Sequence, residues 1–232
     1  AAVLRLRSGE ELVVSSDAFV EAVHFRFETR SAASIGRCAP AASLSDLAAM
    51  GARPLGFTCA LAAPPSLALA RFDGVIRGLI AGSLAWQSPL VGGNLTQGAE
   101  MSLALSVFGA VPAGRALLRS ELRPNDRLFV TGTLGGAALG LVRSRGGAPL
   151  RREPGPRLEA GRVLCRMRQR GACIDLSDGF VADLRHLLGS SGEGGPVGAE
   201  IGATRLPRPR GCAAACARAS VDPERLVREG GE

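Results

Sequence analysis

Segments with strand patterns and segments with helix patterns alternate along this chain of 232 residues, separated by turns rich in Gly and Pro. Short apolar runs at 11–16, 54–61 and 102–111 predict strands. The alanine-rich stretch at 34–50 and the helical spacing of apolar residues at 66–86 predict helices. A chain that mixes the two elements in this order is expected to fold as an α/β or α+β protein with packed layers.

Several glycines and prolines refine this prediction. Gly51 is placed to end the first predicted helix, and Pro40 within that helix is expected to kink it or to shift its start. Gly92 and Gly93 predict a turn at which the backbone comes close to another group. The residues expected on the buried face of the second predicted helix are Leu67, Ala70, Val75, Leu79 and Trp86.

A Pro-Ala-Gly sequence at 112–114 is typical of a junction between domains. We therefore predict an N-terminal domain over residues 1–113 and a C-terminal domain over 114–232. The second domain is expected to have its own alternation of strands and helices. Its predicted strands lie at 127–131 and 173–176.

The sequence contains no lysine, so every basic side chain is an arginine. A Walker A loop needs a lysine against the phosphates, and a protein-kinase fold needs one on its third strand. Schiff-base chemistry through lysine is excluded for the same reason. A chain of this composition can handle phosphates only through metal ions, backbone amides and arginine.

The formal net charge is +7, but the arginines are scattered and aromatic residues make up only 4% of the chain. Nucleic-acid binding is therefore not expected, because few rings are present to stack on bases. A compositional preference for arginine is the favoured explanation of the charge. No apolar run is long enough to span a membrane, and no leader pattern opens the chain, so a cytoplasmic protein is expected.

The six cysteines form no CxxC pair, and the two histidines have no zinc-binding spacing relative to them. Cys212 and Cys216 lie one helical turn apart, which makes half a metal site at most. The cysteines expected to be reduced residues of the core are Cys38, Cys59, Cys165 and Cys173.

Four aspartates lie at strand ends, in turns or within apolar runs: Asp17, Asp46, Asp175 and Asp178. A carboxylate in such a position is costly unless it is paired or coordinates a cation. Clustered oxygen ligands are typical of Mg²⁺ sites. The four positions together predict a shared magnesium cluster.

Each of these signals has an alternative explanation. Asp178 could cap the helix that follows it, Asp17 could form an Asx turn, and Asp46 could pair with an arginine. The glycine-rich turn at 132–136 precedes a helix, where phosphates bind, but many such turns bind nothing. His24 could be a hydrogen-bonded histidine of the core.

Six segments resemble the motifs of thiamine-monophosphate kinases and follow their order. Residues 15–25 are similar to the family's T-T-D-x-x-V-E-G-x-H-F segment, and 44–52, Leu-Ser-Asp-Leu-Ala-Ala-Met-Gly-Ala, resemble its most recognisable stretch. The other matching segments are 119–120, 130–135, 174–179 and 229–232.

The resemblance implies a two-domain fold of the aminoimidazole-ribonucleotide-synthetase-like superfamily. It implies an N-terminal domain that dimerises through its sheet, a C-terminal α/β domain, and ATP bound between them. The implied reaction is Mg²⁺-dependent transfer of the ATP γ-phosphoryl group to thiamine monophosphate, giving thiamine diphosphate, without a covalent enzyme intermediate. The implied partners are ATP, thiamine monophosphate and a second copy of the chain.

Residue roles follow from the motif positions. The positions that match Mg²⁺ ligands are Ser15, Ser16, Asp17, Asp46, Asp175 and Asp178. The positions that match ATP-binding residues are Gly93, Asn94, Arg119 and Ser177. The positions that match substrate contacts are His24 and Glu232. The aspartates expected to be catalytic are Asp17, Asp46 and Asp178.

The sequence departs from the family pattern in several places. Asn94 stands where the family has the aspartate of G-G-D-T, so weaker binding of one metal ion and reduced activity are expected. Ala22 replaces a glycine, and Pro40 interrupts a helix that is usually free of proline. The family's G-D-D and D-Y-E-L motifs would precede and follow this sequence, so we expect it to be shortened at both ends. A relative with another phosphoryl acceptor and a non-catalytic nucleotide-binding member remain alternatives.

Overall fold

The structure is a computed structural model that describes residues 2–145, 153, 155–167, 171–190 and 197–230. It divides into two compact units. The first consists of Ala1–Ala116 and Glu153–Arg166, and the second of Leu117–Arg152 and Met167–Glu232. These units assign residues 153–166 to the first part of the molecule, whereas the domains expected from the sequence, 1–113 and 114–232, stay a proposal.

The first unit contains a four-stranded sheet. Its strands are β1 (Glu10–Val20), β2 (Arg53–Ala63), β3 (Leu90–Gln97) and β4 (Ser102–Pro112). Their order in the sheet is β1-β4-β2-β3, with β4 antiparallel to both of its neighbours and β2 parallel to β3. The three strands predicted from the sequence are confirmed as β1, β2 and β4.

Helices are assigned in both units within the described residues. They are α1 (Ala32–Ala49), α2 (Leu69–Ala85), α3 (Gly136–Arg145), α4 (Leu158–Arg166), α5 (Phe180–Gly189), α6 (Cys212–Ala219) and α7 (Pro223–Glu229). Helix α2 connects β2 to β3, because two parallel strands need a crossover between them. None of the described helices is both long and apolar enough to cross a membrane.

The core of the first unit lies between one face of the sheet and helices α1 and α2. Side chains alternate between the two faces of a strand, so Leu103, Leu105 and Val107 of β4 all lie on the helix side and are fully buried. Val75 and Leu79 confirm the predicted buried face of α2, whereas Ala70 is exposed. The opposite face of the sheet is more open and exposes apolar side chains of β1.

Two local predictions were wrong. Helix α1 begins at Ala32, well before Pro40, so the proline does not shift its start, and a kink at Pro40 stays a prediction. The ring of Pro40 is buried and lies where a side chain at Gly82 of α2 would be, so packing offsets the hydrogen bond that proline cannot make. Gly92 and Gly93 lie within β3 and form no turn. The predicted helix end is confirmed at Gly51, which has a φ of +71°.

The second unit is helical in its described part. Leu134 and Leu139 pack with Phe180, Cys216 and Val227 in its core. No strand is assigned among the described residues of this unit, so the strands predicted at 127–131 and 173–176 are wrong. A strand needs a hydrogen-bonded neighbour. The Cys173 amide donates to the Leu118 carbonyl at 3.4 Å, but no strand pairing is assigned there among the described residues.

Candidate functional site

The first unit brings two of the predicted aspartates together beside the sheet. Ser15 and Asp17 alternate with Ser16 on β1, so they lie on the face that α1 covers, and Asp46 lies on α1. The Ser15 hydroxyl donates a hydrogen bond to Oδ2 of Asp46. The site therefore rests on one regular strand and one helix, both anchored in the core.

The carboxylates of Asp17 and Asp46 carry like charges and repel each other. Asp17 is partly shielded from water, which raises the pKa of its carboxyl, and the nearby charge of Asp46 raises that pKa further. The neighbouring Ser43 hydroxyl and His24 lower it in part. Two carboxylates that repel each other, with a hydroxyl beside them, are oxygen donors of the kind that Mg²⁺ accepts alongside substrate phosphates. The residues present thus fit a magnesium ion.

Ser16 does not join this pair. Its hydroxyl donates to the Leu105 carbonyl at 3.1 Å and lies 3.2 Å from the hydroxyl of Ser106. Alternation along β1 explains this difference, since adjacent residues of a strand point to opposite faces. A role of the Ser16 side chain as a metal ligand stays a prediction.

His24 lies in the turn that follows β1. Its Nδ1 accepts a hydrogen bond from the Val20 amide at 3.0 Å, and its ring lies 5.7 Å from that of Phe19. The residue is exposed, so the alternative of a core histidine is excluded. In the neutral ring this bond places the proton on Nε2. Ala22, where the family has glycine, adopts a φ of +65° that favours glycine.

Gly93 and Asn94 lie on β3, at the opposite edge of the sheet from β1. Asp17 pairs with Leu105, Leu105 with Cys59, and Cys59 with Gly93, so one row of residues crosses all four strands. Three strand spacings separate Asp17 from Gly93, which is about 14 Å. Within this sheet, Asn94 is therefore not brought to the aspartate pair.

The backbone of β3 passes very close to β2. A Cβ atom at Gly93 would lie 2.0 Å from the Cys59 carbonyl oxygen, so no larger residue fits without a shift. This confirms the close approach that the paired glycines predicted. A cavity of about 480 Å³ opens beside this edge, with Phe72 and Ile76 of α2 on one side and Gly93 and Asn94 on the other.

In the second unit, the turn at 175–179 leads into α5. Ser177 and Asp178 are exposed and Asp175 is half-buried. Gly179 is the N-cap residue of α5, so Asp178 does not occupy the capping position. The helix-capping explanation of Asp178 therefore has no support. The backbone amides of this turn instead donate hydrogen bonds to a residue inside the helix.

That residue is Asp183, in the first turn of α5. Its Oδ2 accepts hydrogen bonds from the amides of Ser177 at 3.0 Å and Gly179 at 3.1 Å. Only 3% of Asp183 is exposed. Burial raises the pKa of its carboxyl, and the two backbone bonds lower it in part.

The remaining predicted site residues are less constrained. Arg119 is exposed in a short 3₁₀ turn, Arg119–Glu121. Glu232 lies outside the described residues. The amide of Leu134, in the glycine-rich turn at 132–136, donates to the Pro207 carbonyl at 2.9 Å, which favours a packing role for that turn. Over the described part of the chain, no group of three or more His, Cys, Asp or Glu side chains is placed to hold a metal ion.

The sequence interpretation missed Ser43 and Asp183. Ser43 precedes Asp46 by three residues, a spacing that places both on one face of α1. Asp183 is a carboxylate within the apolar sequence that follows Gly179, the same signal that identified the other aspartates. Both could have been found by applying the carboxylate and spacing arguments to their neighbours.

Residues 1–111 match the protein family described as AIR synthase related protein, N-terminal domain. The chain is 37% identical to a thiamine-monophosphate kinase of Synechococcus elongatus, over 98% of this chain and 70% of the relative. The crystal structure of thiamine-monophosphate kinase from Stenotrophomonas maltophilia K279a matches with a TM-score of 0.87 and 35% identity, over 100% of this chain and 75% of that one. AaThiL complexed with AMPPCP and TMP matches in fold, with a TM-score of 0.87 at 24% identity, over 99% of this chain and 75% of that one.

The part of the chain that carries the sheet and the acidic pair, residues 1–111, thus matches the class of AIR synthase related proteins. Within this class, the chain belongs to the thiamine-monophosphate kinase family. Its curated relatives include the thiamine-monophosphate kinases of Salmonella typhimurium and Bacillus subtilis, which are 34% and 31% identical to it. The chain spans 56% to 70% of the length of the curated relatives that it matches.

Proposed function

We propose that the protein transfers the γ-phosphoryl group of ATP to thiamine monophosphate, giving thiamine diphosphate, with Mg²⁺ at the Asp17–Asp46 pair. The observation that carries the proposal is the hydrogen bond that joins Ser15, two residues from Asp17 on β1, to Asp46 on α1, within two segments that match the family's motifs. When bound, Mg²⁺ would neutralise negative charge on the transferred group. Phosphoryl transfer otherwise requires mainly positioning, which side chains on a rigid strand and helix supply.

The roles of the individual residues follow from the same proposal. Asp17 and Asp46 hold the metal ion, and the Ser15 hydroxyl orients Asp46 through its hydrogen bond. His24, with its proton on Nε2, offers a donor to a phosphate oxygen of thiamine monophosphate. Arg119 supplies a fixed positive charge to the nucleotide, a role that lysine cannot fill in this chain.

The turn in the second unit takes part through three residues. We propose that Asp175 and Asp178 bind Mg²⁺ and that Ser177 binds ATP, as their motif positions imply. The exposure of Ser177 and Asp178 supports this role, because a ligand can reach both. The solved AaThiL structure holds AMPPCP and TMP, the same two classes of ligand.

A homodimer formed through the sheet is the proposed assembly. Leu12 and Val14 on the face opposite the helices are 48% and 55% exposed. Apolar side chains exposed together on one face of a sheet are typical of a surface that contacts another protein. A second copy facing this surface would cover them.

The proposed assembly can be tested by measuring the mass of the wild-type protein in solution by light scattering. A dimer that dissociates in Val14→Asp would support an interface on this face of the sheet. A monomeric wild-type protein would reject the assembly but not the kinase function.

The cytoplasm is the proposed location. All six cysteines are free, and Cys38, Cys59, Cys165, Cys212 and Cys216 are buried. Burial raises the pKa of the Cys59 thiol to about 11, which keeps it protonated near neutral pH. Buried reduced thiols fit a reducing compartment.

The decisive experiment measures thiamine diphosphate formation by the full-length protein with ATP, Mg²⁺ and thiamine monophosphate. Turnover that disappears in Asp17→Asn and persists in Asp73→Asn, an exposed carboxylate on α2, would establish the function. ATP binding without turnover would favour a superfamily relative with another acceptor, to which Asn94 already points. Absence of ATP binding would reject the nucleotide site altogether.

A further inference from the structure

Asp183 is a buried carboxylate that belongs to neither the proposed metal ligands nor the proposed ATP-binding residues. It is 3% exposed, beside Phe180 and Leu187 of its own helix, which are 4% exposed each. Burying a charged group is costly unless it is hydrogen-bonded. Its role must therefore lie in the bonds that it makes.

Those bonds go to the turn at 175–179. A single oxygen, Oδ2, accepts from the amide before Asp178 and from the amide after it. Both amides lie at a helix N-terminus, where backbone donors have no partner inside the helix. Asp183 thus holds the backbone on either side of Asp178 while leaving the side chains of Ser177 and Asp178 exposed.

The other side of the turn is also restricted. Gly179 has a φ of +113°, and a Cβ atom there would lie 2.9 Å from the Glu229 carbonyl oxygen at the end of α7. The turn is therefore confined between this carbonyl and the Asp183 carboxylate. If the Asp183 carboxylate were removed, the turn would lose the contact that fixes its backbone on that side.

We propose that Asp183 is a positioning residue for the phosphoryl-transfer site, which holds the 175–179 turn in the shape that presents Asp178 and Ser177 to Mg²⁺ and ATP. The inference rests on the proposed function of that turn. Asp183 acts as a hydrogen-bond acceptor and touches neither ligand. Its negative charge is therefore dispensable, whereas its oxygen is required.

Two substitutions separate the acceptor from the charge. Asp183→Asn keeps one oxygen that can accept both amide bonds and removes the charge, and Asp183→Ala removes both. The matched control is Asp222→Ala, which deletes another aspartate that accepts an amide bond at a helix N-terminus, from Glu224 at 2.9 Å. Circular dichroism and thermal melts show whether each variant folds.

The first readout is amide hydrogen exchange of the peptide that covers 174–180, measured without ligands. Asp183→Ala should speed exchange there at least tenfold, whereas Asp183→Asn and Asp222→Ala should stay close to wild type. The second readout is the Mg²⁺ concentration for half-maximal turnover with ATP and thiamine monophosphate. We expect an increase of roughly 10- to 100-fold for Asp183→Ala and a change under about threefold for Asp183→Asn.

The outcomes that would overturn the proposal are distinct. If Asp183→Asn behaves like Asp183→Ala, the charge matters and the acceptor role is wrong. If Asp222→Ala gives the same losses, the effect is general destabilisation of the unit. If exchange rises in Asp183→Ala while the Mg²⁺ dependence is unchanged, the turn is held but does not position the site. A wild-type protein without kinase activity would instead reject the proposed function, and the exchange data would still report on the turn.

Discussion

The two acidic regions of the molecule are built in different ways. Asp17 and Asp46 project from a paired strand and a long helix that share a buried core. Asp178 projects from a turn whose flanking amides depend on one buried side chain, Asp183. Secondary structure fixes the geometry of the first region, whereas two hydrogen bonds to Asp183 fix that of the second.

This difference predicts different responses to substitution. In the first region, removing a carboxylate changes charge but leaves the strand and helix in place, since neither depends on it for packing. In the second region, a substitution outside the ligand set can reshape the site. Substitutions in the first region are thus expected to change its charge, and substitutions in the second are expected to change its backbone conformation.

The largest effect is expected from Asp17→Asn or Asp46→Asn. Each removes a charge proposed to hold Mg²⁺, so kcat/KM for thiamine diphosphate formation should fall roughly 10²- to 10³-fold, a loss similar to that of a transition-state-stabilising group. The fold should persist, with an unchanged or higher melting temperature in metal-free buffer for Asp17→Asn, because mutual repulsion is relieved. Collapse of the fold in both variants would contradict a site built on secondary structure.

A smaller loss is expected from Asp178→Ala, about 10- to 100-fold in kcat/KM. The side chain is exposed and does not occupy the capping position of α5, so the melting temperature should change little. Steady-state kinetics across a Mg²⁺ series checks the first expectation, and calorimetry checks the second. If the variant has a lower melting temperature but an unchanged dependence of turnover on Mg²⁺, the role of Asp178 is structural.

Gly93→Ala tests the rigidity of the sheet near the cavity. The added methyl would meet the Cys59 carbonyl oxygen at 2.0 Å, and overpacking of this kind costs about 1–3 kcal/mol in the free energy of unfolding. Gly92→Ala is the control, since its methyl would meet only Thr58 at 3.7 Å. Urea denaturation compares the two, and equal stabilities would argue against the close approach of β3 to β2.

Asn94→Asp should increase the affinity for Mg²⁺, by roughly tenfold or about 1.4 kcal/mol at most. It restores the charge that the family has at this position. Titration with Mg²⁺ in the presence of ATP measures the change. Unaltered metal dependence would count against a metal-binding role for Asn94.

The smallest effect concerns pH. The pKa of Asp17 is raised in the folded protein relative to the unfolded chain. Its contribution to stability is therefore fully present below the unfolded pKa and is lost as pH rises through the folded pKa. The metal-free wild-type protein should lose this small contribution to its stability between acidic and neutral pH, whereas Asp17→Asn should not. If the melting temperatures of the two proteins change in parallel with pH, Asp17 and Asp46 do not repel each other measurably.

Much of the fold and of the first acidic region could be predicted from the sequence. Short apolar runs identified β1, β2 and β4, the alanine-rich stretch identified α1, and helical spacing identified α2. The motif order identified Asp17 and Asp46 as candidate site residues, and the structure brings them near enough for the charge of Asp46 to raise the pKa of Asp17. The strands expected at 127–131 and 173–176 could not be judged in this way, because an apolar run alone does not show whether a neighbouring strand is there to pair with it.

By itself, the sequence determined which chemistry is available. It excluded lysine-based phosphate binding, supplied clustered carboxylates, and spaced Ser15 and Asp17 so that any strand would place them on one face. Only the tertiary structure decided which groups meet. It separated Asn94 from Asp17 by the width of the sheet and made Asp183 the acceptor for the Asp178 turn, because strand order and burial arise from long-range packing that no local pattern records.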